Sequence, residues 1–354
     1  VLYGIAAATT ALLLAAFLAA LFRLPALRLG IIDRRRQRPL PLLGGAGVVL
    51  ATCLVVAGWE WAGVAPLGYE IRRLLIAGGA VALLGLIADV RRVKARFVVG
   101  GTAVAAACVV PYGETGFLLG VPAVGWIVLV AVGFKALDHA DAVAGTVGVV
   151  TAFGVGVLAA AEMMDELAVL LSVLAAALTG FLMHNWPPAR IGLGACGSLF
   201  VGFVLASSAV MTRAGHDPAS SAGILYSLSA LAVADVLLVT LSRRLAGRPL
   251  LRGGPDHLAH RLRRLGLTPQ AVTVLLGVAG SAGVVVGVLV HMAWIPVSGV
   301  YWVGVGALVV VLGLLRIKVH GPRRQPSFPV GDPFRTVGHS TSTQVSAQLR
   351  VRNG

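Results

Sequence analysis

Long apolar stretches, separated by short polar and basic turns, dominate the 354-residue chain. Eleven can be counted, at about 2–22, 42–62, 74–88, 97–112, 117–136, 143–161, 167–184, 192–211, 221–242, 270–291 and 295–315. Most hold about 18 residues or more, enough for a helix to cross about 30 Å of hydrocarbon. The third and fourth are short, so the expected count is ten or eleven. In lipid every backbone N–H and C=O needs an internal partner, which makes helices the spanning element for such runs. The pattern predicts an all-α polytopic membrane protein over residues 1–320. The first stretch lacks a basic leader and a clear small-residue cleavage site, and is expected to be retained. Beyond residue 320 the pattern stops. Residues 321–354 are polar, with Pro, Ser, Thr and Arg, and read as a disordered tail.

Composition agrees with this pattern: 58% of residues are hydrophobic and 12% charged, against about a quarter charged in a soluble domain. A net charge of +15 would suggest nucleic acid in a soluble protein, but the placement of the charges argues otherwise. With eleven spans, only Arg72, Arg73 and Arg213 of the 29 Lys and Arg residues fall on one side. The positive-inside rule then predicts cytoplasmic basic loops and C-terminus, with the N-terminus outside. The expected location is the cell membrane, with the basic face attracting anionic head groups and substrates. Cys53, Cys108 and Cys196 lie in apolar spans without metal-ligand spacing and read as small packing residues.

Five polar segments interrupt the boundary on the basic side. In "IIDRRRQRPLPLLGGAG" (31–47), Arg34 and Arg36 either grip a lipid phosphate with their guanidinium forks or belong to a basic turn before a helix. In "GLIADVRRVKARF" (85–97), Asp89 suits a structural tie to Arg91 or Arg92. In "FKALDHADAVAGTVG" (134–148), Asp138 and Asp141 are spaced to share one side of a helix turn. Two such acids in an apolar setting require a cation or a proton between them, with His139 and Lys135 as other partners. "HNWPPARIGLGACGS" (184–198) combines Asn185, a proline turn and a bare Gly-rich backbone able to present N–H groups to phosphate, or a capped helix-packing seam. In "GGPDHLAHRLRRLGLTPQ" (253–270), His257 and His260 share a face with Arg261 and Arg264, and Asp256 looks like the N-cap. Two histidines at i, i+3 could ligate a metal, but the surrounding arginines favour a diphosphate. An interfacial helix is the plainer reading. Asp235 adds a buried acid, expected to bond to a neighbouring helix.

In this order, the five segments resemble the polyprenyl-phosphate N-acetylhexosamine-1-phosphate transferase family, over residues 1 to about 270. "PLPLLGG" (39–45) is similar to the family's Pro-x-Pro-x-x-Gly-Gly, and "DHADAVAGTVG" to its Asp-Gly-x-Asp-Gly-x-Ala-x-Gly. "HNWPPARIGLGACGSLFVGF" resembles Asn-x-x-Pro-Ala-x-x-x-x-Gly-Asp-x-Gly-Ser-x-x-x-Gly, and "DHLAHRL" the His-x-His-His segment. The resemblance implies a Mg²⁺-dependent transfer of sugar 1-phosphate from a UDP-amino sugar to polyprenyl phosphate, with release of UMP, in cell-envelope glycan synthesis. It implies catalytic roles for Asp89, Asp138 and Asp141, with Asp138 also on the metal. It implies substrate binding by Arg34, Arg36, Asn185, Gly194, Gly197, Ser198, His257, His260 and Arg261. A homodimer or an assembly partner would be in keeping with the family.

The departures fall at the chemistry. Ala88 stands where the first acid of an Asp-Asp pair is expected, and Ala195 where the family has a magnesium-ligating aspartate. Ala259 replaces a histidine, Ala142 a loop glycine, Lys135 an asparagine, and Arg36 stands near an expected histidine. Mg²⁺ needs hard oxygen ligands, which methyl groups cannot supply. Lys135 near Asp138 could neutralise the remaining acids without a metal. The expectation is a transferase with activity weakened or lost, or a non-catalytic relative that binds the lipid phosphate or nucleotide within the same pathway. A transporter fits poorly, because the polar residues gather at one boundary rather than along a midplane path.

Overall fold

The computed structural model describes residues 2–33, 39–63, 68–91, 93–248, 254 and 256–317. Among them, nine helices are long and apolar enough to cross a membrane, and two shorter apolar helices, Ala95–Ala107 and Gly299–Leu315, complete the eleven expected stretches. The chain is an all-α, multi-pass membrane protein. The tail 321–354 lies outside the described residues.

The helices are α1 (Leu2–Arg28), α2 (Gly44–Trp61), α3 (Tyr69–Val90), α4 (Ala95–Ala107), α5 (Tyr112–Leu137), α6 (Val143–Ala161), α7 (Asp165–Asn185), α8 (Gly194–Thr212), α9 (Pro218–Leu245), α10 (Leu258–Arg264), α11 (Pro269–His291) and α12 (Gly299–Leu315). Local chemistry sets several ends. Asp217 caps α9 by accepting from Ser220 N at 2.8 Å, Thr268 caps α11 by accepting from Ala271 N at 3.2 Å, and proline opens both helices. Helix α1 continues through Pro25 to Arg28, six residues past the apolar stretch that announced it. Helix α5 is interrupted at Gly116, whose φ of 68° is non-helical. One feature departs from an all-helical expectation: Ile32–Asp33 pairs antiparallel with Leu40–Pro41, a two-residue ladder.

Helix α8 is the axis of the fold, buried along its whole length from Gly194 to Thr212. Helices α3 and α5 pack along it, α1 and α6 flank α7, and α9, α11 and α12 pack together on the other side of α5 and α6. A helix apolar on all sides belongs in such a place. Helix α2 approaches so closely that a Cβ on Gly45 would collide with Leu193 O and the Gly197 backbone, the close contact that small residues permit between membrane helices.

At the end of the bundle opposite the α8 N-terminus, Arg213 donates to Ser221 Oγ (3.2 Å), Ser220 Oγ (3.1 Å) and His291 Nδ1 (2.9 Å). Glu162 there takes His216 Nε2 at 3.1 Å and His291 Nε2 at 3.3 Å. This network ties α6, α8, α9 and α11 together.

Candidate functional site

The N-terminus of α8 needs attention first, because a helix leaves four N–H groups without intrahelical partners. These are buried here. Asp89, at the end of α3, accepts from Ala195 N at 2.9 Å (Oδ1) and from Cys196 N at 3.0 Å (Oδ2). Asp138, which follows α5, accepts from Gly194 N at 2.9 Å. Three of the four orphan donors are therefore met by carboxylates from two other helices, where a negative charge also opposes the helix dipole. Asp141 accepts from Ala189 N at 3.1 Å, in the non-helical strap of residues 186–193 that leads into α8.

Asn185, the last residue of α7, fixes the strap against the acidic turn. Its Oδ1 accepts from Ala142 N at 2.8 Å, and its Nδ2 donates to Ile191 O at 2.7 Å. The "PLPLLGG" segment closes the other edge: Gly192 N donates to Pro41 O (2.7 Å) and Gly44 N to Gly192 O (3.1 Å). Gly194 itself has φ +69°, and a Cβ there would meet Leu42 O at 2.5 Å and Asp89 Oδ2 at 2.7 Å. Only glycine fits this position without strain. Ser198 is fully buried and gives its hydroxyl to Gly194 O at 2.6 Å, within its own helix. Helix α11 completes the shell, with Thr273 Oγ1 donating to Asp141 O (3.0 Å) and Gln270 Nε2 to Pro187 O (3.1 Å).

Of the residues singled out in the sequence, Asp89, Asp138, Asp141, Asn185, Gly194, Gly197 and Ser198 converge on one strap and helix end. The details differ. Asp89 accepts from the α8 backbone; of its two expected arginine partners, Arg92 lies outside the described residues. Asp138 and Asp141 lie in a turn rather than on a helix face. The charge of Lys135 acts on Asp89. Ala195 gives the site a methyl group on a residue whose backbone N–H already belongs to Asp89. Arg34 and Arg36 lie outside the described residues.

A second cluster adjoins the first through the Asp138–His139 peptide. His139 stacks on His257 with ring centroids 4.1 Å apart and lies 4.8 Å from the ring of His260. Asp235, fully buried in α9, accepts from His257 Nδ1 and from Leu258 N, both at 2.8 Å. The acid expected to bond to a neighbouring helix thus anchors α10. Burial is the main reason that the His139 imidazole is pushed down to about 3, with the His257 ring adding to the effect and Asp235 opposing it.

Two expectations for α10 are corrected. Asp256 is not its N-cap: His257 holds that position, and Asp256 is buried against Arg243 Nε at 3.0 Å and Ser242 Oγ at 3.4 Å. Arg261 does not join the histidines. It is buried and donates to Asp256 O (3.1 Å), Ser242 Oγ (2.6 Å), Leu314 O (2.7 Å) and Ile317 O (2.9 Å). A guanidinium with four acceptors is a structural clamp between α9, α10 and α12. His139 was the residue least legible in advance; its one signal was its place between two acids.

A third feature lies beside the strap. A cavity of about 190 Å³ between α1 and α7 is lined by Ala19, Ala20, Arg23, His184, Arg190 and Ile191.

Comparison with known proteins agrees with the motif order. The profile of Glycosyl transferase family 4 matches residues 71–213, which span α3 to α8 and hold the whole acidic collar. A Streptomyces coelicolor protein described as a glycosyltransferase is 62% identical over 328 residues, covering 92% of this chain and 80% of the relative. The decaprenyl-phosphate N-acetylglucosaminephosphotransferase of Mycolicibacterium smegmatis is 28% identical over 313 residues, 75% of this chain and 77% of the relative. The phospho-N-acetylmuramoyl-pentapeptide-transferase of Moorella thermoacetica is 32% identical over 225 residues, 59% and 62% of the two chains. With four of the five segments gathered at one buried helix end and the fifth in the cluster beside it, the chain belongs to glycosyl transferase family 4, the polyprenyl-phosphate N-acetylhexosamine-1-phosphate transferases.

Proposed function

We propose that this protein binds a polyprenyl phosphate at the basic end of the bundle, facing the cytoplasm of the plasma membrane, and has lost the transfer of sugar 1-phosphate from a UDP-amino sugar. It then serves cell-envelope glycan synthesis as a lipid-phosphate-binding or assembly partner. The observation that carries this reading is the state of the acids. Both oxygens of Asp89 are engaged by Ala195 and Cys196 N–H, and Asp138 and Asp141 each hold a backbone N–H of the same strap. Octahedral Mg²⁺ asks for oxygens turned toward a common centre. Here the carboxylates turn toward the helix end, the methyl of Ala195 replaces a ligand, and the ammonium of Lys135 acts on Asp89. The residues present do not fit the ion, and phosphoryl transfer in this family depends on such charge stabilisation.

Phosphate recognition is better supported. The cavity beside the strap brings Arg23, His184 and Arg190 to the α1–α7 boundary, where guanidinium groups suit a phosphate anchored in lipid.

The test combines the purified protein, polyprenyl phosphate, Mg²⁺ and a panel of UDP-amino sugars, with UMP release as the readout. The expected result is no UMP above the protein-free blank, together with saturable polyprenyl-phosphate binding in nanodiscs that weakens in Arg190→Ala. Restoring Ala88→Asp together with Ala195→Asp is expected to raise UMP release. Wild-type turnover that disappears in Asp138→Ala would overturn the proposal.

A further inference from the structure

The arginines of α10 make the histidine cluster look hostile to a cation, but the one that spacing puts nearest the histidines, Arg261, does not reach them. Arg261 is turned into the protein against four oxygens, and Arg243 is paired with Asp256. What remains around His139 is two imidazoles and a carboxylate. His139, Asp235 and His257 offer ligand atoms that all lie within 4.8 Å of one another.

The proton on His139 can be placed. Its Nδ1 faces Ala136 O at 2.5 Å, and a carbonyl only accepts, so Nδ1 carries the hydrogen. Nε2 is left as a bare lone pair. That atom is buried and has no hydrogen-bond partner among the described residues. A buried acceptor without a donor is destabilising. Fixing Nδ1–H on a backbone carbonyl so that Nε2 projects into a cluster is how proteins orient metal-ligating histidines.

We infer that His139 Nε2, Asp235 and His257 form a binding site for one divalent transition metal of the zinc class. Two imidazoles and a carboxylate, with a fourth position for water, form a ligand set suited to Zn²⁺ and its first-row neighbours, whereas Mg²⁺ prefers oxygen. Zinc bonds of about 2.0–2.2 Å in a tetrahedron draw ligand atoms to roughly 3.4 Å of each other, so binding contracts the group and swings one ring out of the His139–His257 stack, because imidazole lone pairs lie in the ring plane. The metal replaces the hydrogen between His257 Nδ1 and Asp235, and the imidazole proton moves to His257 Nε2. In doing so it links the α5–α6 turn, α9 and α10. The site is separate from the acidic collar and stands whether or not the chain transfers sugar phosphate.

The experiment uses the full chain in detergent, tag removed, stripped with chelator, then loaded with Zn²⁺ or Co²⁺ and desalted. Metal content is measured by mass spectrometry and Co²⁺ coordination by visible absorption. The expected result is about one metal per chain, with the intense visible bands of four-coordinate cobalt. His139→Phe keeps a ring to stack on His257 but lacks Nε2, and is expected to weaken binding at least tenfold while the protein stays monodisperse. Asp235→Asn, which retains an acceptor for Leu258 N, is expected to do the same. Glu162→Gln at the opposite end serves as control and should leave the stoichiometry unchanged. Substoichiometric metal in the wild type, or full retention in His139→Phe and Asp235→Asn, would overturn the inference.

Discussion

Two acid-containing clusters sit side by side in this protein and use their carboxylates differently. At the head of α8, Asp89, Asp138 and Asp141 turn to backbone N–H groups. Around His139, Asp235 divides its two oxygens between the Leu258 N–H and the His257 ring, and the His139 ring beside it keeps a buried nitrogen with no hydrogen-bond partner among the described residues. Acids bound to a helix end are scaffold: they satisfy donors that the helix cannot satisfy itself. A side-chain cluster with an unmatched acceptor carries an energetic debt, and a ligand can settle it. The two clusters are joined by the peptide between Asp138 and His139, so carboxylates engaged by backbone stand next to a ring with an unmatched nitrogen.

The contrast makes strong demands on stability. Asp89→Ala leaves two buried N–H groups unmet at the axis of the fold. Loss of the charged acceptor is expected to cost about 3–5 kcal/mol, seen as a large drop in the unfolding midpoint in detergent. Asp89→Asn keeps one acceptor and should fall between. If Asp89→Ala unfolds like wild type, the collar is not scaffold. Breaking the Arg261 clamp with Arg261→Ala strands four acceptors between α9, α10 and α12, and a loss of about 3 kcal/mol is expected by the same measure. Gly194→Ala puts a side chain at positive φ and against Leu42 O; about 1–3 kcal/mol is expected, mainly as faster unfolding of the strap by hydrogen exchange. The smallest effect belongs to His139→Phe. Without metal it removes an unmet acceptor and keeps the stacked ring, so stability should change by about 1 kcal/mol or less. Added Zn²⁺ should raise the midpoint of wild type but not of this variant.

Much of the molecule was legible in the sequence for physical reasons that can be named. The apolar stretches had to be helices because lipid offers no partner for a bare backbone; of the two expected to be short, 97–112 forms the 13-residue α4, whereas 74–88 belongs to the 22-residue α3. Small residues around "IGLGACGS" announced a crowded backbone, and Gly45 and Gly194 are crowded. Helix ends were less legible: α1 runs on through Pro25 because nothing in its first 22 residues marks a stop. Side-chain direction was not legible at all. Spacing placed Arg261 beside His257 and His260, yet four acceptors supplied by residues 242, 256, 314 and 317 pull it inward.

By itself the sequence determined the membrane-spanning helical class and the ordered motifs that identify the family, because these depend on composition and short-range order along the chain. Only the tertiary structure decided what each acid and histidine does. Asp89 meets Ala195 and Cys196 across more than a hundred residues, and Asp235 meets His257 across twenty-two. Whether a carboxylate caps a helix or faces an imidazole depends on which polar groups packing buries beside it, and no local pattern carries that information.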